Sequence, residues 1–394
     1  MMWMRLQDVC TVFSDGDWIE SKDQSDKGIR LVQTGNIGEG LYLEKEERAK
    51  YVSEETFESL KCTEIYPGDI LISRLPEPVG RACIIPQKKE RMITAVDCTI
   101  CRVDESIVSK EYLCYFMRSN AYYTKLLGSV TGTTRKRISK KNLGNIELEI
   151  PPKEEQTDVV SQLECLINVI NSRNKELQLL DDIIKARFVE LFGDPDNNEK
   201  KWDIDKLEHL CEVGSSKRIY QNEQSMEGVP FLRISDLVNR IDTGSKDCDL
   251  YIPIERFTEL KEQGLVPRSG DILLTARGTL GRCYIVQSDD EFYFQDGMIT
   301  WLSNYDKRIT ALYISYLFEM PGFRKQIDAL QAGSTVAYMS IAMTKKLDVM
   351  VPPIELQNQF SDFVRATDKS KVAVQKALDE TQLLFDSLMQ EYFG

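Results

Sequence analysis

The chain has 394 residues, 42% hydrophobic, 29% charged and 9% aromatic, enough for two or three units that each bury a core, and nothing in the composition reads as disordered or fibrous. The N-terminal Met1-Met2-Trp3-Met4-Arg5-Leu6 runs straight into polar residues and no long apolar stretch follows. Neither a secretory leader nor a membrane span is therefore expected, and the expected location is cytoplasmic. A net charge of −13 argues against nucleic acid as a partner unless the cations are gathered into patches.

In chain order, β-branched and apolar runs broken by Gly, Pro, Asn and Asp predict strands at residues 70–72 and 82–85. Gly35-Asn-Ile-Gly38 is too short for a phosphate loop and reads as a turn. Apolar residues at three- and four-residue spacing predict one short helix over residues 110–127. At Ile150-Pro-Pro152 the period changes, and the acidic turn Lys153-Glu-Glu155 opens a long helix to about residue 193, roughly 60 Å at 1.5 Å per residue. Its Leu163, Leu166, Ile170, Leu177, Leu180, Ile184 and Leu191 form a seam interrupted by Arg173 and Arg187. Gly193-Asp-Pro-Asp-Asn-Asn198 reads as a linker, residues 194–201. A strand at 272–274 and a helix near 310–330 follow, then Val351-Pro-Pro353 and a second long helix with Val364, Val374, Leu378, Phe385, Leu388 and Tyr392 on its seam.

The second half echoes the first. Pro67-Gly-Asp-Ile-Leu-Ile-Ser-Arg74 matches Ser269-Gly-Asp-Ile-Leu-Leu-Thr-Ala276, Gly80-Arg-Ala-Cys-Ile-Ile85 matches Gly281-Arg-Cys-Tyr-Ile-Val286, and Phe192-Gly193 matches Phe393-Gly394. Gly281 minus Gly80 gives 201 and Gly270 minus Gly68 gives 202, so one small insertion separates two copies of a unit of about 200 residues. The predicted organisation is α+β: two repeated α/β domains, residues 1–152 and 194–353, alternating with two long helices, 153–193 and 354–394, that pack as an antiparallel coiled coil under pseudo-two-fold symmetry.

Catalytic chemistry is sparse. His209 is the sole histidine, which nearly excludes triads and His-ligated metals, and no phosphate loop is present. The ten cysteines are scattered among apolar neighbours, as suits reduced thiols. Cys98 and Cys101 have Cys-x-x-Cys spacing without a second pair or a nearby histidine, so no metal site is expected.

What stands out is basic. Between Ser129 and Asn145 lie Arg135, Lys136, Arg137, Lys140 and Lys141 with no acid, preceded by Thr133 and Thr134. Hydroxyls and lysines suit phosphates, and arginine reads guanine through two hydrogen bonds. The matching stretch of the second copy offers Ser334, Thr335, Tyr338, Lys345 and Lys346. Two strand-turn segments add Arg74 in the first copy and Arg277, Thr279 and Arg282 in the second. All sixteen are candidate DNA-binding residues.

With these motifs in this order, the chain resembles the specificity subunits of type I restriction-modification systems. The resemblance rests on Gly68-Asp-Ile-Leu71 and Gly270-Asp-Ile-Leu273, on the two Pro-Pro turns followed by Gln156 and Gln357, and on Leu191-Phe-Gly-Asp194. It implies two target-recognition domains reading the halves of a bipartite double-stranded DNA sequence across a gap set by the helices. It implies no catalysis or cofactor in this chain, two modification (methyltransferase) subunits that use S-adenosylmethionine, and restriction subunits that use ATP and Mg. Acidic surfaces around residues 44–47 and 54–58 would face protein partners. Because residues 336–341 lack the cations of residues 135–138, the two half-sites should differ. Two other readings remain: the recognition part of a single-chain methyltransferase or nuclease, which needs a cofactor motif that is not seen, and a coiled-coil scaffold with no DNA role.

Overall fold

A computed structural model describes residues 2–128, 136–329 and 337–394. The chain packs as two compact units, Met1–Asn174 with Lys376–Gly394, and Lys175–Gln375. Each long helix is thus shared: its start packs with the globular part that precedes it, and its end with the other.

The first unit is built on a four-stranded antiparallel sheet in the order Cys10–Asp15, Cys98–Val103, Ile70–Ser73, Ala82–Ile84. A second sheet places Ile29–Val32 between Tyr51–Val52 and, parallel to it, Met92–Thr94, with Glu64–Ile65 beyond. Alternate residues of the Ile70–Ser73 strand serve two cores: Ile70 and Ile72 join the helices, while Leu71 faces the second sheet with Cys83 and Ile100. The second unit repeats the first sheet as Glu212–Gly214, Ile299–Ser303, Ile272–Thr275 and Cys283–Ile285. It also repeats the parallel pairing, as Val229–Leu232 beside Tyr293–Phe294.

The Gly-Asp-Ile-Leu motif explains itself locally. Gly68 and Gly270 turn at φ +93° and +92°, a region costly for any residue with a Cβ. The following aspartate closes the turn by accepting from Tyr66 N (2.8 Å) or Arg268 N (2.8 Å). It then reaches the neighbouring strand, where Asp69 takes two 2.8 Å hydrogen bonds from Arg102 and Asp271 accepts from Trp301 Nε1 at 2.9 Å.

Residues 110–127, expected as one helix, form two, Lys110–Phe116 and Asn120–Leu127. The buried Ser119 starts the second by accepting from Tyr122 N at 3.2 Å. The stretch near 310–330 is likewise Ala311–Glu319 and Pro321–Ala329. Pro321 is the first residue of the new helix, and it holds Met320 extended at ψ 133°.

The long helices run Lys153–Phe192 and Ile354–Phe393. In the second unit Lys371 Nζ meets Asp181 Oδ1 at 2.6 Å while Phe360 packs on Phe188 with ring centroids 5.5 Å apart. One helix number falls as the other rises, so the pair is antiparallel. Tyr392 OH donates to Gln162 Oε1 at 2.8 Å in the first unit. Residues 194–201 fold onto the second unit: Trp202 Nε1 donates to Phe192 O at 2.9 Å and Lys325 pairs with Asp196.

Gln156 and Gln357, 1% and 0% exposed, clasp each helix start. Gln156 Oε1 accepts from Ser109 N (2.8 Å), and its amide donates to Ile107 O (3.1 Å) and Pro151 O (2.9 Å). Gln357 accepts from Thr310 N (2.9 Å) and donates to Arg308 O (2.8 Å) and Pro352 O (2.9 Å). Gln357→Leu strands these buried partners, and the urea midpoint is expected to fall by the equivalent of about 1–3 kcal/mol with an unchanged slope. An unchanged midpoint would show that the clasp is not stabilising.

Candidate nucleic-acid interface

In the first unit the basic segment is pinned at two points. Ile138 is fully buried and its N–H donates to Arg74 O at 3.3 Å, at the end of the central strand. Ser139 then caps the helix Lys140–Gly144 by accepting from Asn142 N at 3.1 Å. This plug and cap leave Lys136, Arg137, Lys140 and Lys141 exposed. Arg137 lies 3.0 Å from Asp97 Oδ1 with both side chains partly in water, a pair of little energetic weight that an incoming phosphate can outbid.

The second unit builds the same device. Met339, 1% exposed, donates from its N–H to Ala276 O at 3.0 Å, and Ser340 caps the helix Ile341–Lys345 by accepting from Met343 N at 3.2 Å. Tyr338 is 39% exposed and forms an isolated antiparallel bridge with the exposed Arg277. Lys346 is exposed and Lys345 half-buried. Thr279 is exposed, and its carbonyl accepts from Thr275 Oγ1 at 2.5 Å.

Two of the candidate arginines are engaged within the fold. Arg74 is 5% exposed, donates to Val96 O at 2.5 Å and lies 3.3 Å from Asp15 Oδ2. Arg282 pairs with Asp242 at 2.5 Å and holds that carboxyl below its usual range. Arg81, the repeat mate of Arg282, spends its guanidinium on four carbonyls, those of Ile37, Leu75, Pro78 and Thr34. Gly80 before it turns at φ +87°, where a Cβ would overlap Leu126. Thr133, Thr134, Arg135, Ser334 and Thr335 lie outside the described residues. Sequence reasoning missed Asp97, whose main-chain carbonyl and side chain both serve this site. It also named Arg277 and Tyr338 without pairing them. The single one-residue change of offset, which falls in the turn after the central strand, was the available signal.

Cys98 and Cys101 sit three apart on one strand and enter different cores, so their sulfurs face opposite sides of the sheet. Burial pushes the Cys98 thiol up to about 12, and Cys101, hydrogen-bonded to Cys10 and buried, is raised well above its usual value. His209 Nδ1 sits 2.7 Å from Asp205 Oδ1, whose carboxyl is lowered by that bond. Among the described residues no group of three or more His, Cys, Asp or Glu is placed to hold a metal ion, and no helix is long and apolar enough to cross a membrane.

A duplicated α+β unit thus repeats the same plugged and serine-capped segment beyond the end of its central strand. The family model for the type I restriction modification DNA specificity domain matches residues 1–181 and 199–381, and the chain belongs to that family. A type I restriction enzyme specificity subunit of Haemophilus influenzae is 26% identical over 273 residues, 67% of this chain and 66% of that protein. Another, from Methanocaldococcus jannaschii, is 22% identical over an alignment of 404 residues, 94% of this chain and 89% of that protein. Among solved structures, a chain from work on complex assembly and conformational transition of the type I R-M system superposes with a TM-score of 0.61 at 15% identity, covering 100% of this chain and 97% of that one. That likeness establishes the shared fold.

Proposed function

We propose that this chain is the sequence-reading subunit of a type I restriction-modification complex. It binds double-stranded DNA with one module per half of a bipartite target and carries no catalytic step itself. The observation that carries this is the loop device built twice: a buried plug bonded to the central strand, a serine cap, and exposed side chains beside it. In the first unit those side chains are cations suited to phosphates. Methyl transfer, with S-adenosylmethionine, belongs in this reading to two modification subunits, and ATP- and Mg-dependent restriction to further subunits, in the cytoplasm.

The test is the salt dependence of duplex binding by the chain together with its modification subunits. A reader loses affinity steeply as salt rises, log K falling by about 0.9 per phosphate contacted against log salt. A flat response, or no binding, points to the scaffold reading.

A further inference from the structure

Arg277 and Tyr338 stand where the first unit has Leu75 and Arg137. Matching backbone bonds fix the correspondence: Ile138 N to Arg74 O answers Met339 N to Ala276 O, and Arg74 N to Asp97 O answers Ala276 N to Met298 O. The turn from Ser73 to Gly80 has one more residue than that from Thr275 to Gly281, which locates the insertion between the two copies. Leu75 is 7% exposed, whereas Arg277 is exposed, its guanidinium carbon 5.2 Å from the centroid of the Tyr338 ring. The isolated bridge between the two residues sets this stack from the main chain. Met298 replaces Asp97, the carboxylate that pairs with Arg137, and among the described residues no carboxylate pairs with Arg277.

The tyrosine therefore holds the guanidinium against its ring without neutralising it, and leaves its N–H donors to a ligand. A charge meant only for phosphate needs no such plane, and flexible lysines serve in the first unit. A rigid, planar fork of donors matches the O6 and N7 acceptors on the major-groove edge of guanine. We propose that Arg277, held by Tyr338, reads a guanine in the half-site of the second unit. The inference rests on the reading of the chain as a DNA specificity subunit. Arg277 is the specificity-determining residue and Tyr338 its positioning residue.

The experiment is methylome sequencing of a host that expresses the full chain with its modification subunit, as wild type and as Arg277→Lys, Arg277→Ala, Tyr338→Phe and Tyr338→Ala. Arg277→Lys keeps the charge and a foldable side chain but loses the fork. It is expected to relax one guanine position of one half-site, its preference there falling roughly 5- to 150-fold, with the other half-site unchanged. Tyr338→Phe should keep the wild-type motif and Tyr338→Ala should drift toward Arg277→Lys. An unaltered motif in both arginine variants overturns the proposal. So does methylation weakened evenly at all sites, which marks a phosphate contact, or a variant-sensitive position that is not guanine. A wild-type chain that yields no bipartite motif removes the underlying reading, an outcome distinct from a motif that ignores Arg277.

Discussion

Replacing Lys136, Lys140 and Lys141 together by alanine is expected to lower duplex affinity about 10- to 100-fold at low salt, and to flatten the dependence of log K on log salt by about 2 to 3. All three are exposed, on a segment anchored by Ile138 and Ser139, so their removal takes charge from the surface without touching the core. The fold should be unaffected, since surface substitutions of this kind change stability little. Affinity and slope should move together, because each lysine that neutralises a phosphate also releases a counterion. Undiminished affinity in the triple variant, with its melting temperature intact, would remove this loop from the DNA interface.

The second large effect concerns stability. Phe360 is fully buried, its ring set nearly perpendicular to Phe188, Phe192 and Tyr316 with centroids 5.5, 5.5 and 5.2 Å away. It thereby joins both long helices to the globular part of the second unit. Phe360→Ala is expected to cost about 3–5 kcal/mol through lost burial and the cavity left behind, lowering the thermal transition of that unit by on the order of 10 °C. Phe360→Leu should retain much of this. A shift of only a degree or two in the alanine variant would show that the aromatic cluster does not hold the helices to the unit.

The repeat, the Pro-Pro boundaries and both helix seams were legible because they depend on period and position. On the first helix Leu163, Leu166, Ile170, Leu177, Leu180, Ile184 and Leu191 are all buried or half-buried, and Arg173 and Arg187 fall in the same row. Phe188 and Phe192 were not legible as the centre of an aromatic cluster, since they lie beside the seam and meet Tyr313 and Phe360, more than a hundred residues away. The helix breaks at Ser119 and Pro321 had local signals, a cap and a proline, that the apolar period overrode.

The site was legible as a loop and less so as individual side chains. Lys136, Lys140 and Lys141 could be read from charge alone, because a run of cations has nowhere to go but the surface. Arg74 and Arg81 carry the same charge, yet their guanidiniums satisfy main-chain carbonyls left open by the turns around them. Nothing in a linear sequence separates a strut from a reader. The contact of Arg277 with Tyr338 spans 61 positions of chain, the difference of their numbers, and an isolated bridge outside the sheet brings the two together.

The most direct test of the central claim is the methylome of a host carrying the modification subunit, sequenced with and without this chain. A new two-part methylated motif that appears only with the chain, and whose methylation Lys136→Ala/Lys140→Ala/Lys141→Ala weakens evenly without changing its bases, is the predicted result. An active modification subunit whose methylation pattern is the same in both hosts would contradict the account.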